Sequence, residues 1–188
     1  MSIPRYSYTG PVDHTIKPDL SKAKGKSVII TGGANGMGER FVRDFAEAGA
    51  FVTFGDMSKR GIEIEKQLNA DSKRVAFVEC DIRDWDSQIR LFETAKSQSP
   101  NNSVDVVIAN AGISRSSGDS LWTLDDANSA PTKPDLNIVN VNLTGTFYTW
   151  KLAVHYFRKQ ALGEERDRCF IITGSMVAWI DSPVWLIL

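Results

Sequence analysis

The sequence predicts an α/β fold, a doubly wound parallel sheet with helices on both faces, and three observations carry that expectation. Five short apolar, β-branched runs alternate with four stretches whose apolar residues recur at helical spacing. The strand-like runs are continuous rather than alternating, as expected of strands covered on both faces. The first of them passes into a helix through a turn with four glycines in seven positions, within VIITGGANGMGERF.

Residues 1 to about 25 carry three of the seven prolines and no periodicity, and read as an N-terminal arm ending in the basic stretch Lys22 to Lys26. A single domain over 26–188 follows. Ser27 to Thr31 (SVIIT) reads as a buried strand, and Gly36 to Ala50 as a helix with apolar Met37, Phe41, Val42, Phe45 and Ala46 on one face and Gly49 as its stop signal. Phe51 to Gly55 then reads as strand, Ser58 to Leu68 as helix, Val75 to Cys80 as strand and Trp85 to Ala95 as helix. Val104 to Ala109 is the fourth strand, and Ser114 to Lys133 a long loop suited to the rim of a site or to a plain insertion. A helix from about Asp135 to Gln160 and a strand from Cys169 to Thr173 complete the pattern. Right-handed crossovers between such units build a parallel sheet. Val139, Leu143, Phe147, Trp150 and Val154, at steps of three and four, are expected in the core or in helix pairing.

Composition narrows the partners. With 22 Lys plus Arg against 23 Asp plus Glu, the net charge of −1 provides no field for nucleic acid or an anionic membrane. No apolar run approaches the roughly 20 residues of a membrane span, and the N-terminus lacks the apolar centre of a signal peptide. Two cysteines, Cys80 and Cys169, form no disulfide framework and suit a reducing compartment, so a cytoplasmic location is expected. Neither His14 nor His155 has ligand spacing for a metal, and none is expected.

The glycines have a physical reading. A helix that begins at the carboxyl end of a parallel strand aims unpaired N–H groups and a positive dipole end at whatever lies above it, and a diphosphate meets that demand. Glycine permits positive φ and close approach of the phosphates, although a tight turn alone would also use it. A P-loop is excluded, because Gly33 to Gly38 is followed by Glu39 and Arg40 instead of Lys and Ser or Thr. Asp56 closes the second strand 18 residues after Gly38, near the separation expected for an acid that bonds an adenosine ribose. Capping the next helix is its alternative role. Its charge would repel a 2′-phosphate, and no Lys or Arg lies within Gly32 to Gly38, so NAD is preferred over NADP, with Lys59 and Arg60 nearby.

Thr31-Gly32-x-x-x-Gly36-x-Gly38 resembles the cofactor turn of the short-chain dehydrogenase/reductase family. Asp81-Ile82, Asn110-Ala111-Gly112, Asn142 followed by Leu-Thr-Gly, and Ser175 are similar to the motifs that follow in that family. Ala109 stands where the family has a first asparagine, and Ala178 where it has a glycine. The resemblance implies a Rossmann-like sheet and contacts to the dinucleotide from Gly32, Asn35, Gly36, Met37 and Gly38. It also implies a ribose bond from Asp56, adenine contacts from Asp81 and Ile82, and packing of Asn110, Ala111 and Gly112 against the nicotinamide half. Asn142 would anchor a relay water, and the Ser175 hydroxyl would bond the reacting carbonyl or alcohol. From the residues alone, Asp81 and Ser175 could equally be turn residues, and Asn142 a solvent-facing one.

The family's Tyr-x-x-x-Lys acid/base pair is absent: residue 188, thirteen beyond Ser175, is Leu188, and no tyrosine has a lysine four residues on. The C-terminal strands of the family are missing as well, which reads as a truncated or alternatively ended enzyme whose fifth strand is an exposed edge. Two functions follow. One is an NAD-dependent oxidoreductase acting on a small alcohol or carbonyl compound, with a homo-oligomer admitted; the other is a non-catalytic dinucleotide-binding or regulatory module. A methyltransferase would share the glycine turn but leave the Asn110 and Ser175 motifs unexplained.

Overall fold

A computed structural model of the chain describes residues 13, 15–16, 18–70, 72–114, 125–160 and 168–175. Five strands form one parallel sheet: β1 (Ser27–Thr31), β2 (Phe51–Asp56), β3 (Val75–Glu79), β4 (Val106–Ala109) and β5 (Cys169–Ile172). Their order is β3-β2-β1-β4-β5, with Val28 opposite Val52 on one side and Val106 on the other. The order reverses direction at β1, and an open sheet of this kind has its crevice at that point.

The helices are α1 (Gly36–Glu47), α2 (Arg60–Leu68), α3 (Trp85–Gln98), a single turn α4 (Asn137–Val139), a π-helical segment Asn140–Gly145, and α5 (Thr146–Lys159). Alternation along β1 sorts them onto two faces. Val28 and Ile30 pack with Val42, Val52, Phe54 and Ile64 under α1 and α2, whereas Ile29 packs with Leu91, Phe92, Val107, Leu152 and Phe157 under α3 and α5. Every residue of β1 is buried, as a central parallel strand requires.

The differences from expectation have local causes. Helix α1 ends at Glu47, before Gly49, whose φ of +84° turns the chain toward β2. Helix α2 begins at Arg60 and not Ser58, because the Asp56 carboxylate accepts the Ser58 N–H in a turn. The long last helix is broken into α4, the π segment and α5, and the irregularity falls on Asn142. Part of the expected arm, Ser21–Ala23, forms a 3₁₀ turn whose Ala23 is buried in the core.

Two apolar assignments change. Leu143, Phe147 and Trp150 are 52%, 57% and 47% exposed, so this stripe does not enter the core. Thr149, Leu152, Ala153, Tyr156 and Phe157 are the buried face of α5. Met37 also points outward, at the mouth of the glycine turn. Strand β5 is flanked by β4 alone among the described residues, and its Ile171 and Ile172 are exposed. Residues 115–124, within the expected loop, and everything after Ser175, including Ala178 and Leu188, lie outside the described residues.

Candidate functional site

The carboxyl ends of β1, β2, β3 and β4 surround a cleft of ≈ 330 Å³, whose lining includes Gly32, Asp56, Asp81, Ile82, Ala111 and Gly112. Six of the expected site residues therefore meet in one place. Gly32 has φ of +69° and Gly36 φ of +53°, backbone that a residue with Cβ adopts only under strain. A Cβ on Gly32 would sit 2.7 Å from the Ala111 Cα, and one on Gly38 would collide with the Gly32 carbonyl and lie 2.7 Å from Asn110 Nδ2. The turn is thus packed directly on the end of β4, and the N-terminus of α1 opens beside it.

The turn is stapled from below. Gly32 N–H and Gly33 N–H donate to the Gly55 carbonyl at 2.7 and 3.2 Å. Asn110 Nδ2 donates to the carbonyls of Thr31 and Gly32, both at 3.3 Å, while its Oδ1 accepts from the Thr173 hydroxyl at 3.2 Å. One amide thereby fixes the ends of β1, β4 and β5 together, and the Thr31 hydroxyl oxygen accepts from the N–H groups of Asn110 and Ala111 at 3.1 Å each. Ala109, in the place of the family's first asparagine, is simply a buried strand residue.

Asp56 accepts from the Ala34 N–H at 3.0 Å and the Ser58 N–H at 2.8 Å, so it holds the turn as well as starting the path into α2. Asn35 is the N-terminal flanking residue of α1, and its side chain makes no capping bond. Instead Asn35 Oδ1 accepts from Arg60 Nη1 at 3.3 Å. The same nitrogen donates to the Ala34 carbonyl and to Glu39 Oε2, and Glu39 also accepts from Arg43. The Arg60 guanidinium beside it holds the Glu39 carboxyl below its usual range, and Arg43 adds to the effect.

Asp81 lines the cleft at the end of β3. Its carboxylate, expected to accept from an adenine amine, is gripped by Arg83 through the backbone N–H, Nε and Nη2, at 2.6 to 3.1 Å. Arg83 holds this carboxyl below the usual carboxylate range. Arg83 Nη1 reaches across to Asn137 Oδ1 at 2.7 Å, joining the end of β3 to the start of α4.

Asn142 is half-buried, and its amide is bonded to the chain leaving β4. Its Oδ1 accepts from the Ile113 N–H and its Nδ2 donates to the Ile113 carbonyl, both at 2.9 Å. The π segment is pinned to the chain leaving β4, and Gly112 is so close that a Cβ there would lie 3.3 Å from Asn142 Oδ1. Ser175 stands two residues beyond Thr173, the residue whose hydroxyl bonds Asn110.

Sequence reasoning missed Arg83 and Gln88. Gln88 is fully buried; its Nε2 donates to the carbonyls of Ile82 and Gly145 at 2.6 and 2.9 Å, and its Oε1 accepts from the Thr149 hydroxyl. The available signal was a glutamine in register with Leu91, Phe92 and Ala95 on the inner face of α3. A larger cavity of ≈ 470 Å³ lies away from these residues, lined in part by Glu93, Lys96, His155 and Lys159, and none of the expected site residues borders it.

Strand order, glycine turn and cleft together define a Rossmann-like α/β protein. The sequence profile of the short chain dehydrogenase family matches residues 26–179, and the chain belongs to that family. It is 32% identical over 177 residues to the 5′-hydroxyaverantin dehydrogenase of Dothistroma septosporum, covering 88% of this chain and 57% of that protein. Its match to the enzyme of the same description in Emericella nidulans is 31% over 184 residues, covering 92% and 59%. The chain thus spans less than three-fifths of the length of these curated relatives. Among solved structures it is similar to a 3-ketoacyl-(acyl-carrier-protein) reductase from Brucella melitensis complexed with NADH, at a TM-score of 0.59 and 25% identity over 73% of this chain and 52% of that one. A short chain dehydrogenase from Burkholderia cenocepacia in complex with NADP shares the fold, with a TM-score of 0.66 at 23% identity over 86% and 60% of the two chains. No helix among the described residues is long and apolar enough to cross a membrane.

Proposed function

We propose that the chain binds a nicotinamide dinucleotide across this cleft, NAD in preference to NADP, and serves hydride transfer to or from a small alcohol or carbonyl compound. The observation that carries the reading is the cradle itself: at Gly32 and Gly38 a Cβ would drive into Ala111, Asn110 and the turn. Backbone N–H groups at the start of α1 are left to face a diphosphate, which the helix dipole favours. Gly32, Asn35, Gly36, Met37 and Gly38 form this part of the site in our reading. Asp56 at the ribose brings a negative charge where a 2′-phosphate would go, and the Arg60 guanidinium, which reaches the Ala34 carbonyl, is engaged by Glu39. Ile82 lies against the base, while Asn110, Ala111 and Gly112 border the nicotinamide half.

A bound nicotinamide would supply the hydride donor or acceptor. Ser175 would donate its hydroxyl hydrogen to the substrate oxygen, favouring the charge that develops there. Asn142 holds the backbone at Ile113 and the π segment in register, and with one amide hydrogen and one lone pair left over it anchors the relay water in this reading. The same reading includes a homo-oligomer formed through the outward stripe of α5 and, from the two separate thiols, a cytoplasmic location.

The 188 residues contain no Tyr-x-x-x-Lys pair. For these residues taken by themselves, a second reading is a dinucleotide-binding module without turnover. Calorimetric titration with NADH and NADPH, followed by a panel of alcohols and ketones that includes 5′-hydroxyaverantin, separates the two. NADH binding at least about tenfold tighter than NADPH, with substrate-dependent NADH production, is expected of the first; binding without turnover supports the second. Absence of binding to either dinucleotide contradicts both.

A further inference from the structure

We propose that the Asn35-Gly36 pair is a site of spontaneous covalent modification, at which the unliganded chain ages and the liganded chain is spared. Asn35 is converted to aspartate or isoaspartate, and a dinucleotide seated on the turn prevents it. The protection rests on the dinucleotide reading above; the modification does not.

The chemistry joins two neighbours. The Gly36 amide nitrogen, giving up its proton to a solvent base, attacks Asn35 Cγ. The N–Cγ bond forms, the Cγ–Nδ2 bond breaks, and ammonia leaves with a proton taken from solvent. Water then opens the cyclic imide at either carbonyl, giving aspartate or isoaspartate. One water is consumed, one ammonia is released, and nothing is oxidised. A following glycine, without a Cβ, hinders the attack least, and Asn35-Gly36 is the one Asn-Gly pair in the chain.

The turn favours each partner in this reaction. Asn35 and Gly36 are both exposed, and a Cβ built on Gly36 would meet nothing within 4 Å, so the imide ring has room. The Asn35 side chain makes no capping bond to α1. Its Oδ1 instead accepts from Arg60 Nη1 at 3.3 Å, which places a guanidinium where negative charge develops as Cγ is attacked. The Gly36 N–H, at the first position of α1, has no acceptor among the described residues. The positive end of the helix dipole there favours the nitrogen anion that attacks.

In the closed turn Asn35 is extended, with φ −146° and ψ 159°, and its carbonyl accepts from the Glu39 N–H at 3.2 Å. Bringing the nitrogen to Cγ rotates that carbonyl away, so the reaction proceeds when the first turn of α1 opens. A diphosphate bound to the N–H groups of this turn holds it closed. The products also damage the cradle. Aspartate sets a carboxylate beside the diphosphate, and isoaspartate adds a methylene to the backbone of a turn in which a Cβ on Gly38 would already collide with the Gly32 carbonyl.

The test incubates the purified chain in mildly alkaline buffer, with and without NADH, and follows tryptic peptides by mass. Peptide 27–40 holds Asn35 as its one side-chain amide, so it reports the amide-to-acid change, and labelling by isoaspartyl methyltransferase identifies the rearranged product. Without NADH, Asn35 is expected to convert before every other asparagine, including Asn102, which precedes Ser103. If only the free chain reacts, NADH slows conversion by the factor 1 + [NADH]/Kd, about tenfold at about ten times the Kd of fresh protein. Converted chain should bind NADH about tenfold more weakly or worse, the scale of one hydrogen bond to a charged group. Conversion no faster than at Asn102 overturns the modification site. A rate indifferent to NADH, on a chain that binds it, overturns the protection and leaves the dinucleotide reading intact. Fresh chain that binds no NADH removes that reading and the protection together.

Discussion

Asp56, Asn110 and Cys80 show how much one residue's surroundings determine. Asp56 was legible from its distance to the glycine turn, and its alternative role was legible too; the structure gives it bonds to Ala34 and Ser58 at once. Asn110 links three strand ends through bonds to residues 63 to 79 positions away, which no local pattern reports. Arg83 was invisible because its meaning depends on Asn137, 54 positions on. Cys80 is buried in the wall of the cleft, and burial pushes its thiol up to about 11 from an ordinary 9.0. A folded pKa above the unfolded one favours the protonated form. Its stabilising contribution is thus complete below pH 9 and is lost as the pH rises through about 11, at up to about 1.4 kcal/mol per unit. Urea titrations across this range should show the wild type losing stability relative to Cys80→Ala. Parallel pH profiles for the two proteins would refute the effect.

At the level of elements, the strands were the most legible, since continuous β-branched runs bounded by glycine have few alternatives. Helix faces were less so. Leu143, Phe147 and Trp150 recur with the period of any amphipathic face, but period alone cannot say whether the stripe meets the sheet or the outside, and the sheet takes Leu152, Ala153 and Tyr156 instead. The break at Asn142 falls on a poor helix former mid-helix. What holds the break in place is distant in sequence: Gln88 of α3 ties the Ile82 carbonyl to Gly145, at the end of the π segment. A Cβ on Gly145 would lie 2.7 Å from the Ile82 side chain, so the two segments are in direct contact. Gln88→Leu keeps the bulk but strands the Ile82 carbonyl. Urea unfolding should show a loss of about 1–3 kcal/mol, the penalty for a buried polar group without its partner. A change under about 0.5 kcal/mol would mean that Gln88 is not a structural tie.

For the molecule as a whole, two apolar layers fix the sheet, and the reversal of strand order at β1 produces the crevice where the predicted residues gather. Its most direct test is to record amide chemical shifts of the isotope-labelled chain while adding ADP-ribose, which carries the diphosphate and adenosine without the nicotinamide. The account expects saturable shifts at Gly32 to Gly38, Asp56 and Ile82, with Cys169 to Ile172 little moved. Shifts confined to the cavity around Glu93, His155 and Lys159, or none at millimolar ligand, would contradict it.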